Sequence, residues 1–336
     1  MFDLLLRNSS GEGVPVPLPG RGLLFVGSDG VMRVKLSNGA VIIPTGGASP
    51  TVAPTGAPTT APTGAPVIVE VMGPTFNKKN GFRATTLDGA LQIALGSMGK
   101  VTGDLNISIG AAATVLDLSE LVEVTGAFIP NTMAALTSLK VHKLKKTGIF
   151  RPEVMAGLTW LDLPELETTS HFAFNTMAAL VTVNVPKFKT TGLVDLWQLA
   201  ALTELNFDAL VTASMGFRVA VAAALVAVRL PLIEHLGTNN LFYSISLDNG
   251  TVAMTTLDIG PNLKRVDGAV TLTSCALDQT SVNNTIIRLA ALDGTNGTTI
   301  YQGKQVTITG TTFAPTGDGL TAKQTLQARG CTVTTL

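Results

Sequence analysis

Between residues 93 and 268 the chain repeats itself. Two apolar residues flank a third position, and another apolar residue follows three or four places on. This pattern occurs at Ile93/Leu95/Met98, Leu116/Leu118/Leu121, Leu139/Val141/Leu144 and Leu161/Leu163/Leu166. It continues at Val183/Val185/Phe188, Leu205/Phe207/Leu210 and Val228/Leu230/Ile233, each copy 22 or 23 residues after the last. An eighth copy, Leu257/Ile259/Leu263, comes after a longer step, which places an insertion within 236–246. A unit this short cannot bury its own apolar face, so the copies must stack and share one continuous core. The fold class that follows is a mainly β solenoid with parallel strands.

Each copy supplies a short strand with its apolar residues inward, stacked at about 4.8 Å, which makes a ribbon roughly 35–40 Å long for eight units. A second apolar set, Leu105/Ile107, Phe128, Phe150, Phe172/Phe174 and Val270/Leu272, fills the opposite wall. Ala-Ala-Leu precedes the motif in several copies. Thr-Gly pairs follow it, as at Thr125-Gly126, Thr147-Gly148 and Thr191-Gly192, and are expected to turn the chain.

The flanks divide the remaining chain. Residues 1–43 read as a small β unit with hairpins, because apolar runs are separated by Asp29-Gly30 and Asn38-Gly39, dipeptides that accept the positive φ of a tight turn. Residues 44–66 are a Pro/Thr/Gly/Ala stalk or linker. Extended as polyproline II, it spans on the order of 70 Å. Residues 67–92 are left as the solenoid's N-terminal cap and 93–268 as its body. In 269–336 a helix is expected over 278–291 with Asp278 as its N-cap, then a strand at 305–309. A second helix over 319–329 ends at Gly330, and a final strand follows. Helices on the end of a stack make an α/β cap that covers the open sheet edge.

Charge narrows the function classes. Lys plus Arg and Asp plus Glu each number 23, so the net charge is zero, and only 14% of residues are charged against about 25% in ordinary globular proteins. Neutralising phosphates needs a basic surplus, so nucleic acid is not an expected partner. The longest uncharged apolar run, 219–228, is about half of what a membrane span requires, so no membrane insertion is expected. A surface with little charge favours association. The two cysteines, Cys275 and Cys331, stand in no metal-binding spacing and read as buried thiols or as one disulfide.

Leu161-Asp162-Leu163-Pro164-Glu165-Leu166-Glu167-Thr168, with Ala173-Phe174 following, resembles the BspA-type leucine-rich repeats of surface and adhesion proteins, over about 93–268. The C-terminal stretch from Ala276 is similar to that of many tailed-bacteriophage structural and fibre proteins. The N-terminal Gly22-Leu23-Leu24-Phe25-Val26-Gly27-Ser28-Asp29-Gly30 is similar to the short β anchors that begin phage fibres and decoration proteins. These resemblances imply a leucine-rich-repeat-like solenoid on a phage virion, assembled in the host cytoplasm as a head fibre, capsid decoration or tail fibre. They imply a homotrimer attached to a capsid or tail protein through the N-terminal region, with a host-surface glycan or protein as its target. A bacterial cell-surface adhesin is the alternative, disfavoured because the opening MFDLLLR lacks the basic n-region of a secretory leader.

Chemistry is sparse. No nucleophile elbow, P-loop or dinucleotide fingerprint occurs, and His142, His171 and His235 have no ligand at metal spacing, so no catalytic residue, metal or cofactor is expected. A polysaccharide depolymerase would need two carboxyl groups at fixed separation. Glu165 and Glu167 are the nearest pair within a repeat, but they lack an aromatic platform. The position between the two inward strand residues reads Ala94, Asp117, Lys140, Asp162, Asn184, Asn206, Arg229 and Asp258 down the stack. Asn184 above Asn206 invites an amide ladder. This column is either a ladder that holds register or a ligand-facing strip with Trp160 as aromatic anchor and Lys140 and His142 as cations. The candidate adhesion surface is therefore Trp160, Lys140, His142, Asp162, Asn184 and Asn206.

Overall fold

The structure is a computed structural model. It describes strand residues 2–9, 22–27, 32–36, 41–42 and 82–83, and then 99–336 apart from 109–112, 239–242, 249, 252 and 311–312. The linker, most of the N-terminal cap and the first repeat, at Ile93, lie outside the described residues.

The repeats form a stack of parallel strands. Each motif centres on a three-residue strand whose middle residue is buried: Leu116, Leu139, Leu161, Val183, Leu205, Val228 and Leu257. The second apolar residue of the motif starts a tight turn, closed by bonds such as Leu121 N to Leu118 O at 3.0 Å and Leu144 N to Val141 O at 3.0 Å. Successive coils pair in register, Leu139 beside Leu116 and Leu161 beside Val183. The chain then enters a second, 16-stranded sheet that runs the length of the stack. Its longest strands, Glu123–Pro130 and Thr168–Asn175, turn a corner without breaking.

The chain bends at Gly192, as expected of a Thr-Gly pair, whereas Thr125-Gly126 and Thr147-Gly148 stay within their strands. Thr147 pairs with Val124 and Thr169, and Thr147, Thr169 and Thr191 are all buried strand residues. Thr169 Oγ1 lies 3.0 Å from Thr191 Oγ1, and Thr191 Oγ1 donates to Leu193 O at 3.2 Å. The hydroxyls satisfy each other and the corner carbonyls, as a buried polar column requires. The glycine answers to close packing: a Cβ on Gly148 would sit 2.7 Å from Gly126 O in the coil beneath.

The core is one cluster along the axis. Phe128, Phe150, Phe172, Phe188, Phe207 and Phe217 touch in sequence, with ring centroids 4.9–6.1 Å apart along the series. Phenylalanines from the two walls thus meet in one file. Each buried ring contributes on the order of 1.5–3 kcal/mol.

Each coil closes through a corner where a non-glycine residue takes positive φ: Thr132, Val154, Thr176, Gln198 and Val221, at φ 53–58°. The Ala-Ala-Leu segment follows as another tight turn, for example Leu180 N to Met177 O at 3.1 Å. The insertion falls between strands His235–Leu236 and Tyr243–Asp248, after which the sheet resumes register.

At the C-terminal end the sheet continues through Ala269–Leu272, Gln305–Ile308 and Thr332–Thr335. Helix α1 (Gln279–Ala290) stands where the short strand of another coil would be. It is capped by Asp278, which accepts from Ser281 N at 2.7 Å. Ser281 Oγ accepts from Leu257 N at 3.1 Å, so the helix satisfies an edge amide of the last short strand. Helix α2 (Asp318–Ala328) packs on α1, and the chain leaves it through Gly330 at φ 76°. Cys275 and Cys331 are both buried and free. Burial pushes the Cys275 thiol up to about 11.

The N-terminal strands form their own four-stranded sheet. Gly22–Gly27 pairs antiparallel with Met32–Leu36, which pairs antiparallel with Val41–Ile42, as the Asp-Gly and Asn-Gly signals predict. Phe2–Ser9 adds parallel to Gly22–Gly27, which a chain of simple hairpins would not produce. Among the described residues no helix is long and apolar enough to cross a membrane.

Candidate functional site

The strip of exposed residues on the short strands is largely paired to itself. Lys140 Nζ lies 3.2 Å from Asp117 Oδ2, and His142 Nε2 is 3.6 Å from Asp162 Oδ2. Asn184 Nδ2 donates to Asp162 Oδ1 at 2.6 Å. Burial alone would raise the Asp117 carboxyl, but donors from Ser119 and the Lys140 ammonium outweigh it and hold the group below its ordinary value. The expected Asn184–Asn206 ladder does not form. The strands 182–184 and 204–206 belong to separate hydrogen-bonded sets, and Asn206 Nδ2 turns instead to Glu204 Oε2 at 3.3 Å. Trp160 is 58% exposed, flanked by exposed Val181, and is the strip's one aromatic surface. Below it Lys143–Glu120 and Lys187–Glu165 continue the ion pairs between coils at 2.7 and 2.6 Å. These exposed pairs link successive coils in register.

The histidines are likewise accounted for. His235 Nε2 is 2.9 Å from Asp267 Oδ2, and His171 Nδ1 is 3.4 Å from Ser170 Oγ. Among the described residues no three His, Cys, Asp or Glu side chains gather as a metal site would need. The Lys187 ammonium holds the Glu165 carboxyl below its usual value, the wrong direction for a general acid.

A different face carries a carboxylate oxygen that receives no hydrogen bond from the described residues. On the outer side of the long strands, the sheet register sets Ala173 beside Asp195 and Asp195 beside Arg218. One column over, Glu153, Asn175 and Trp197 line up through successive rungs. The small side chain of Ala173 leaves a notch between the longer Arg151 and Asp195. Around it a groove of about 510 Å³ opens, bounded by Arg151, Glu153, Asn175, Asp195, Trp197 and Arg218, with the strained corners at Thr176 and Gln198 along its rim.

The electrostatics of this groove are specific. Arg151 Nε binds Glu153 Oε1 at 2.8 Å, which leaves that pair neutral. The Arg218 guanidinium lies over the Trp197 ring, 4.6 Å from its centroid. Its Nη1 is 3.8 Å from Asp195 Oδ1, close enough for charge attraction and too far for a hydrogen bond. Asp195 Oδ1 is screened from solvent and receives no hydrogen bond from the described residues. Desolvation raises the Asp195 carboxyl above its ordinary value and the nearby Asp248 adds to this, against the pull of Arg218 and His171. At the rim Thr176 Oγ1 lies 3.0 Å from Asn175 Oδ1 and 2.7 Å from Gln198 Oε1. One hydroxyl proton cannot serve two carbonyls, so one of these amides must turn its nitrogen to the threonine. The pair then presents a donor and an acceptor.

The six residues singled out from the sequence are therefore spread along the short-strand strip, four of them in a paired network. The groove was missed because its residues share no short motif. A signal was present: the outward column of the second strand, Arg151, Ala173, Asp195 and Arg218, becomes readable once the 22-residue step is applied to that strand too. No family model, curated protein or solved structure matches this chain.

Proposed function

We propose that this chain is a structural appendage of a bacteriophage virion whose β-solenoid is a rigid adhesion body for the host surface. The observation that carries the adhesion half is the groove over Ala173. It is a concave, mixed-polarity site with an aromatic wall and a partly exposed Asp195–Arg218 pair held 3.8 Å apart, beside the closed Arg151–Glu153 pair. A site built on strands that share one continuous core is preorganised, so a ligand meets little ordering cost. The virion half is supported by sequence: the anchor-like residues 1–43, the proline-rich stalk at 44–66 and the low charge. The assembly would be a homotrimer held to a capsid or tail protein through residues 1–43.

Deleting residues 1–43 tests the attachment. Loss of the protein from purified particles, with the solenoid still folded, is the expected result, and unchanged incorporation would sink the virion reading. Replacing Ala173 with Arg fills the notch, and adsorption of particles to host cells is expected to fall. A polysaccharide depolymerase is the second reading, favoured by Glu153 and the raised Asp195 lining the same groove. Release of reducing ends from host polysaccharide, abolished by Asp195→Asn, would establish it.

A further inference from the structure

The groove states what its ligand must offer. An ionised carboxylate only accepts hydrogen bonds, and Asp195 Oδ1 is held away from bulk water without a donor. The 3.8 Å gap to Arg218 Nη1 is too long for a direct hydrogen bond, and Oδ1 itself is closed even to water. The Asp195 and Arg218 side chains are nonetheless 35% and 23% exposed where they line the groove, so one hydroxyl group can donate to the open side of the carboxylate and accept from the guanidinium. The formal charges around the groove cancel: Arg151 with Glu153, Arg218 with Asp195. A net charge on the ligand would therefore leave one of these four groups facing a like charge. The volume, about 510 Å³, is that of a small-molecule site and exceeds what one bridging water needs. Trp197 offers an apolar wall beside the hydroxyl position, and the Asn175 and Gln198 amides offer a donor and an acceptor at the rim.

We infer that the groove binds a neutral, hydroxyl-rich saccharide, with one sugar hydroxyl bridging Asp195 and Arg218 and the ring lying along Trp197. This rests on the adhesion reading above and adds the chemistry of its ligand. Both partners of the bridge are needed. Alanine at 195 removes the acceptor, whereas arginine at 173 fills the space the ring would occupy and leaves the bridge residues in place.

The full chain can be titrated by calorimetry and by saturation-transfer NMR with neutral hexasaccharides of glucose, galactose, mannose and N-acetylglucosamine. A glucosamine hexamer and a galacturonate hexamer serve as the cationic and anionic counterparts. At least one neutral oligosaccharide is expected to bind, at least tenfold more weakly to Asp195→Ala and to Ala173→Arg, with circular dichroism showing both variants folded. Binding of the charged oligomers alone, or no binding by any neutral one, overturns the inference. So does neutral binding that both variants retain. The two readings fail separately. If Ala173→Arg abolishes adsorption to host cells while no neutral saccharide binds, adhesion stands and the ligand chemistry falls. If saccharides bind as expected while deletion of 1–43 leaves particle incorporation unchanged, the groove chemistry stands and the virion reading falls.

Discussion

Asp195 shows how a single residue can be poor for stability and useful for binding. Its carboxyl is raised, first by desolvation, above the ordinary aspartate value of 3.8. Between that value and the folded one, the native state holds more protons than the unfolded state, so this group's contribution to stability declines as pH rises through the window. Above the window the full penalty stands. Asp195→Asn is therefore expected to raise Tm at pH 7 and to lose this pH dependence, as thermal melts of both proteins from pH 4 to 7 would show. Asp117 runs the other way: its lowered carboxyl stabilises above 3.8, and this is lost as pH falls through the folded value. Comparing the variant with the parent isolates Asp195 from such groups. Neither behaviour is legible in the sequence, where both residues are outward aspartates on strands of the repeat. They differ because Asp117 finds Ser119 and Lys140 within hydrogen-bond reach, while Asp195 has only a distant guanidinium.

The strand corner is where an element depends on its neighbours in the stack. Thr191→Val is expected to cost about 1 kcal/mol, because Thr169 then loses a buried partner for its hydroxyl. The double change Thr169→Val with Thr191→Val should cost less than the two single changes together, since both ends of the pair become apolar. Denaturant unfolding of the four proteins measures this coupling, and strict additivity would argue against a threonine column. Gly148→Ala is expected to be strongly destabilising, as its Cβ would meet the carbonyl of Gly126 at 2.7 Å. The rungs are spaced by backbone hydrogen bonds and cannot open to admit it. The Thr-Gly repeat is visible in the sequence and predicts a turn, which forms at Gly192 but not at Gly148, where the strand runs on. Its role in a continuous strand depends on which wall the threonine faces, and that is settled by pairing between coils.

The described body from residue 99 onward is a one-dimensional stack, so its ends are its weak points. α1 and α2 cover the end of the core, with Val282, Ile286, Leu289 and Leu326 buried. Ending the chain after Leu272 would expose that core and leave an unpaired strand. The truncated protein is expected to self-associate, seen as concentration-dependent growth in light scattering, while the full chain scatters as a species of fixed size. The sequence by itself determined the solenoid, its period, the inward residues and the helical end. A repeated apolar pattern is a local, one-dimensional signal, and burying it leaves few solutions. Only the tertiary structure decided what the outer faces do. Whether neighbouring charges pair or stand apart depends on a few ångströms between side chains from different coils. Asp117 and Lys140 meet at 3.2 Å, Asn184 and Asn206 fall into separate strand sets, and Ala173 opens a groove beside a carboxylate oxygen that receives no hydrogen bond from the described residues. Burial favours one arrangement of the core strongly, whereas water tolerates many arrangements of a polar face, so the choice among them is made by the register of the stack.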